Sequence, residues 1–192
     1  DFERFLNLVE NSKYPVQVIW AGKPYPEDQT AIDIFNDIYW KTKYMANCAI
    51  LTGYELGLSA MLKRGSDLWL NTPRIYHEAS GTSGMTAAMN GSINLSIPDG
   101  WVPEFAEDGK NCFVIPRADT ADHEEQARLE NETLLTLLEK EIVPLYYSSP
   151  KEWVNVMKQS MKDVVPFFDS NRMAREYYDN MYRLAGTLSE VN

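Results

Sequence analysis

HEASGTSGMTAAMNGSIN, residues His77–Asn94, is the stretch on which the reading of the whole chain turns. It sets Gly81, Gly84 and Gly91 among the hydroxyl residues Ser80, Thr82, Ser83 and Thr86, and passes from a small-residue loop into a short apolar helix over about Thr82 to Asn90. Small residues let backbone approach a ligand closely, and the free amides of a helix N-terminus attract anions. The stretch therefore reads as a phosphate- or sugar-binding loop that caps a helix. On spacing alone it is equally a Gly/Ser-rich turn followed by a packed small-residue helix, because a loose glycine pattern specifies little.

The flanking sequence separates these readings. Upstream, Phe2, Leu6 and Val9 recur at helical spacing, and the apolar run Val16–Trp20 follows Tyr14-Pro15 as a buried strand. A turn-rich loop, Ala21 to Pro26, leads to a long helix whose inner stripe is Ala31, Ile34, Phe35, Ile38 and Tyr39. Cys48–Leu51 is a second strand, Tyr54–Leu62 a second such helix, and Asp67–Leu70 a third strand. Downstream lie a strand at Ile93–Ile97, a turn at Asp99-Gly100-Trp101 and a strand at Cys112–Ile115. Alternating strands and helices predict an α/β fold with parallel pairing and right-handed crossovers. The glycine loop then sits at the carboxyl end of a parallel strand, where open α/β sheets place ligands.

Beyond Pro116 the period is helical throughout. Leu129, Leu134, Leu137, Leu138, Ile142 and Val143 form an inward stripe that Pro144 is expected to kink or stop. Ser149-Pro150 opens a further helix with Trp153, Val156, Met157 and Met161 as its buried stripe, and a last helix presents Met173, Tyr177, Met181 and Leu184 on one side.

Composition narrows the function classes. With 192 residues, 44% of them hydrophobic, the chain can bury a real core, and its net charge of −10 argues against binding a nucleic-acid backbone. Cys48 and Cys112 sit in apolar runs and His77 and His123 stand apart, so neither a disulfide framework nor a metal set is expected. No apolar run is long enough to span a membrane as a helix, and no signal-peptide pattern is present, so a soluble cytoplasmic protein is expected. The chain opens on a helical pattern without methionine, which reads as an excised part of a longer protein.

The run DLWLNTPRIYHEASGTSGMTAAMNGSINLSIPDG, Asp67–Gly100, resembles the C-terminal half of α-glucan (glycogen, starch or maltodextrin) phosphorylases, especially the short bacterial and archaeal type. AGKPYPED (21–28), LTGYELGLSAML (51–62), LEKEIVPLYY (138–147) and WVNVMKQSMK (153–162) extend the resemblance over nearly the whole chain. It implies the second Rossmann-like domain of a GT-B glycosyltransferase, begun partway in, over residues 1–118. Residues 119–192 would be a C-terminal all-helical appendage that packs on the sheet or on the missing N-terminal domain. The implied reaction moves a glucosyl unit from the non-reducing end of an α-1,4-glucan to inorganic phosphate, giving glucose 1-phosphate with retention. Pyridoxal phosphate is the implied cofactor, and a homodimer of the full-length protein is an expected partner state.

Residue by residue, the resemblance makes Glu78 the glucose-binding carboxylate and Ala79, Ser80 and Gly81 the loop that contacts sugar hydroxyls. It places Thr82 on the cofactor phosphate and Tyr54 near it. One position departs. Where the family reads G-M-K-A-A-x-N-G and the lysine forms an imine with the cofactor, this chain has Thr86, which has no amine. Lys23, Lys63 and Lys110 are the substitutes considered. Three functions are therefore weighed: a phosphorylase holding its cofactor without a covalent link, a cofactor-independent GT-B glycosyltransferase using a sugar nucleotide, and a non-catalytic glucan-binding paralogue.

Overall fold

Short β-rich runs such as Cys-Ala-Ile-Leu cannot satisfy their backbone alone, and they pair in parallel because each is followed by a helix that carries the chain back. In the computed structural model, which describes residues 1–10, 13–75 and 81–183, this produces two ladders. The elements fall into two compact units, Asp1–Leu62 with Arg117–Pro150 and Lys63–Pro116 with Lys151–Asn192.

The first unit begins with α1 (Phe2–Val9), capped by the Asp1 carboxylate on the Arg4 amide. Strand β1 (Val18–Ala21) pairs in parallel with β2 (Cys48–Leu51), and α2 (Gln29–Thr42) crosses between them. Asn47 ties the ladder to its surroundings by donating its amide to the carbonyls of Val9 and Val16. The chain then enters α3 (Leu56–Gly65), which starts two residues later than the sequence suggests and leaves Tyr54 ahead of the helix. In the same unit, Arg4 grips Glu139 through both ends of its guanidinium fork, at 2.8 and 2.6 Å, and that carboxylate keeps the guanidinium charged.

Glu139 belongs to a helical run that does not break. Helix α6 (His123–Leu137) passes through a π-helical segment (Leu138–Ile142) into α7 (Val143–Ser148). Pro144 lacks the amide that an α-helix would direct at the carbonyl four residues back, and the widened turn just before it absorbs that loss. The kink or stop expected at Pro144 is replaced by a change of pitch. The inward face also differs: Leu135 and Ile142 are the buried apolar positions, and Leu129, Leu134, Leu137, Leu138 and Val143 are half-buried.

The second unit contains β3 (Leu68–Asn71), β4 (Ile93–Ser96) and β5 (Phe113–Val114), all parallel, in the order β3-β4-β5. Every residue of the central strand β4 is buried, as expected of a strand covered on both faces. Helix α4 (Thr82–Met89) links β3 to β4, and α5 (Val102–Phe105) precedes β5. Helix α8 (Pro150–Phe167) buries Trp153, Val156, Ser160 and Val164 at spacings of three and four, and Trp153 stacks on Phe113 with centroids 6.4 Å apart. Met157 and Met161, expected in that stripe, are half-buried and lie beside Gly91. Helix α9 (Ser170–Tyr177) is capped by Asp169, whose carboxyl is held below its usual range by the amides of Asn171 and Arg172.

Both cysteines are free thiols. Burial pushes the Cys112 thiol up to about 12, while Cys48 is half-buried and raised less. Alkylation of the native chain should therefore modify Cys48 first and leave Cys112 intact until unfolding, as peptide mapping after a timed iodoacetamide pulse will read. The linkage has a definite sign: the stabilisation from keeping the Cys112 thiol neutral is complete below about 9, where the unfolded thiol ionises, and is lost as pH rises toward about 12. Among the described residues no helix is long and apolar enough to cross a membrane, and no cluster of His, Cys, Asp and Glu is arranged to hold a metal.

Candidate functional site

The site residues named from sequence fall into three groups. Glu78, Ala79 and Ser80 lie outside the described residues, as does His77. Gly81, Thr82 and Thr86 come together on the first turns of α4, in the second unit, and Tyr54 stands in the first unit with its hydroxyl 2.8 Å from Ser59 Oγ.

Gly81 is the N-cap of α4, in extended conformation (φ −72°, ψ 158°), and no side-chain cap is found among the described residues. Thr82 is thus the first helical residue and not the cap. The first-turn amides have no partner within the helix, and with a glycine at the cap position they present donors and the positive end of the helix dipole at one spot. That spot follows the carboxyl end of β3, the edge of a parallel sheet where ligands collect.

A set of contacts that sequence reading missed fixes this turn in place. Asn94 on β4 is 1% exposed and donates its amide to the Gly84 carbonyl at 3.0 Å. A Cβ at position 84 would stand 2.7 Å from Asn94 Oδ1 and 3.1 Å from Trp101 Cζ2, so only glycine lets the helix come this close. Gly84→Ala is expected to cost about 1–3 kcal/mol by overpacking, against a smaller effect for Gly81→Ala, where the nearest atoms, those of Ser83, would stand at an ordinary 4.0 Å; a urea titration of the two variants distinguishes them. Gly91, at φ +92°, makes the turn from α4 into β4.

Polar atoms are left over nearby. Asn94 Oδ1, Trp101 Nε1 and Asp99 Oδ2 are buried with no partner among the described residues, and Asp99 itself is only 9% exposed in the loop after β4. The sequence signal for Asp99 was an Asp-Gly pair, which spacing alone marks as a turn. At the ends of β3 and β4, Asn71 donates to Ser96 Oγ at 3.1 Å.

Thr86 is turned back on its own helix, its hydroxyl within 3.0 Å of the Thr82 carbonyl and 3.1 Å of the Ser83 carbonyl. It offers a ligand neither an amine nor a free proton. Of the lysines considered as substitutes, Lys110 is bound to Glu107 at 2.5 Å, and that hydrogen bond holds its ammonium charged, the wrong state for attack on a carbonyl. Lys23 follows β1 in the first unit, and Lys63 lies in the last turn of α3.

No family model matches the chain. An uncharacterized protein of Methanocaldococcus jannaschii is 44% identical over 184 residues, covering 95% of this chain and 34% of that protein. Maltodextrin phosphorylase of Thermococcus litoralis is 37% identical over 193 residues, covering 96% of this chain and 23% of that enzyme. Glycogen phosphorylase of Aquifex aeolicus is 37% identical over 190 residues, with 95% and 27% covered. The chain spans between a quarter and a third, roughly, of the curated relatives it matches. Among solved structures, the catalytic domain of starch synthase IV from Arabidopsis thaliana, bound to ADP and acarbose, superposes with a TM-score of 0.60 at 21% identity, covering 93% of this chain and 34% of that one. Anabaena HepE in complex with UDP-glucose superposes at 0.57 and 14% identity, with 98% and 45% covered. These likenesses establish the fold as that of the GT-B glycosyltransferases.

Proposed function

We propose that this chain, a homologue of glycogen and maltodextrin phosphorylases over nearly its whole length, is the part of an α-1,4-glucan phosphorylase that holds the transferred glucosyl unit and a phosphate. The observation that carries the reading is the N-terminus of α4, with glycine at its cap, set after a parallel strand and pinned by Gly84 against Asn94 and Trp101. Fixed amide donors of this kind stabilise phosphoryl charge without having to reorganise. In this reading Glu78, Ala79, Ser80 and Gly81 take the sugar hydroxyls, and Thr82 with the first-turn amides takes phosphate oxygens. The remainder of the enzyme, an N-terminal domain above all, completes the cleft, so the isolated chain should be inactive. Two free thiols suit a reducing, cytoplasmic setting.

The fit to pyridoxal phosphate is divided. The α4 N-terminus suits its phosphate, whereas Thr86 cannot anchor its aldehyde and spends its hydroxyl on its own helix. A cofactor held here would be held without a covalent bond. That mismatch favours one further reading, in which the same helix N-terminus takes the diphosphate of a sugar nucleotide; the two superposed structures are complexes with ADP and acarbose and with UDP-glucose.

The two readings differ in the second substrate. The full-length protein carrying this chain should release glucose 1-phosphate from maltodextrin only when phosphate is present. Glucosyl transfer from a sugar nucleotide, with no response to phosphate, would select the other reading, and binding of glucan without turnover would leave only a glucan-binding protein.

A further inference from the structure

We propose that β1 is an interior strand of the full-length protein, and that its free edge takes a further parallel strand supplied by polypeptide that precedes α1. The Val18 amide donates to the Asn47 carbonyl and the Gly22 amide to the Leu51 carbonyl, so Val18, Trp20 and Gly22 direct their backbone groups at β2. Ile19 and Ala21 direct theirs the other way, where no strand lies among the described residues. Natural sheet edges are blunted by charge, proline or a bulge, because a bare edge recruits another strand. The sequence Val-Ile-Trp-Ala, in unbroken register with β2, has none of these. The faces of the ladder agree. Parallel sheets are covered on both sides, yet Ile19 is 52% exposed, and Ala49, opposite it on β2, is exposed as well.

Handedness decides which edge is taken. Helix α1 lies on the Trp20 face of the ladder, with the Phe5 and Trp20 ring centroids 5.8 Å apart. Helix α2 lies beside it, the Lys41 ammonium 5.1 Å from the centre of the Phe2 ring. Right-handed crossovers on one face of a sheet all step in the same direction across it. Because α2 carries the chain from β1 to β2, α1 brings it to β1 from the opposite side, which is the free edge. A strand there would be apolar toward both faces. Its carboxyl end would lie beside the Gly22-Lys23 turn, on the side where parallel sheets bind ligands. Its source rests on the reading above, in which this chain is one part of a longer protein, and the relatives are far longer than the matched part.

Residue-resolved hydrogen exchange on the native full-length protein tests this, with Trp20, paired to β2, as the internal standard. The Ile19 and Ala21 amides should exchange within about tenfold of the Trp20 amide. Free exchange at Ile19 and Ala21 beside a protected Trp20, or a β1 unprotected throughout, would overturn the added strand. Ile19→Pro then separates a paired strand from any other cover. Proline removes the one amide that faces the added strand and leaves the bonds to β2 in place, so an exposed edge tolerates it. In an interior strand it should speed exchange at Ala21 by about tenfold, the worth of one sheet hydrogen bond. Unchanged exchange at Ala21 would overturn the strand; should the variant not fold, exchange in the native protein still decides. No turnover is needed for either measurement, so the strand stands or falls separately from phosphorolysis.

Discussion

Trp101→Ala should destabilise the second unit by about 3–5 kcal/mol, the range for truncating a buried aromatic, and lower its melting temperature by on the order of 10 °C. Trp101 is 5% exposed, packs against Phe105 at a tilt and against Phe168 edge-on, and shares a core with Ala88, Val102, Cys112 and Val164. It is also the wall against which Gly84 rests, so its loss removes support from the first turn of α4. Denaturant unfolding should show a lower midpoint at unchanged slope. The control is Trp40→Ala: that ring is 63% exposed, and the change should stay within about 0.5 kcal/mol. A loss below about 1 kcal/mol at Trp101 would mean that the aromatic cluster does not hold α4.

Thr86→Lys should turn a protein that cannot be labelled at this position into one that can. Incubated with pyridoxal phosphate and reduced with borohydride, the native full-length protein should carry no adduct on the peptide containing residue 86, and the variant should carry one. The exchange is mild for the fold. Lysine is the better helix former by a few tenths of a kcal/mol, which offsets the loss of a hydroxyl bonded only within its own helix. A variant that folds and still takes no adduct would show that position 86 does not face a cofactor cavity, and would move the reading toward a sugar nucleotide.

What sequence made legible was whatever depends on neighbours in the chain. Cys48–Leu51 is a strand to the residue, and the other strands lie within one or two residues of their apolar runs, because β-branched and aromatic clusters carry that signal locally. Parallel pairing followed from the strand–helix alternation, although the strands form two ladders, and no local pattern states which neighbours hydrogen-bond. Pro144 misled because a proline reads as a break, and the π-helical turn that accommodates it is set by the whole helix. Leu135 and Ser160 were missed for a related reason, since burial is decided by what lies across from a helix.

The site divided along the same line. The α4 N-terminus was legible from its glycines and hydroxyls. Its support was not, because Gly84, Asn94 and Trp101 meet only through tertiary packing, and Asn94 in a strand or Trp101 after a turn has no distinctive spacing. Thr86 was visible as a departure from the family pattern, whereas the geometry that turns its hydroxyl inward was not.

The most direct measurement is phosphate-dependent release of glucose 1-phosphate from maltodextrin by the full-length protein, desalted and assayed with and without added pyridoxal phosphate. Release that requires phosphate and rises with added cofactor, then falls after a second desalting, is the result predicted for a phosphorylase whose cofactor is not covalently held. No release under any of these conditions, from either the native protein or Thr86→Lys, would contradict it.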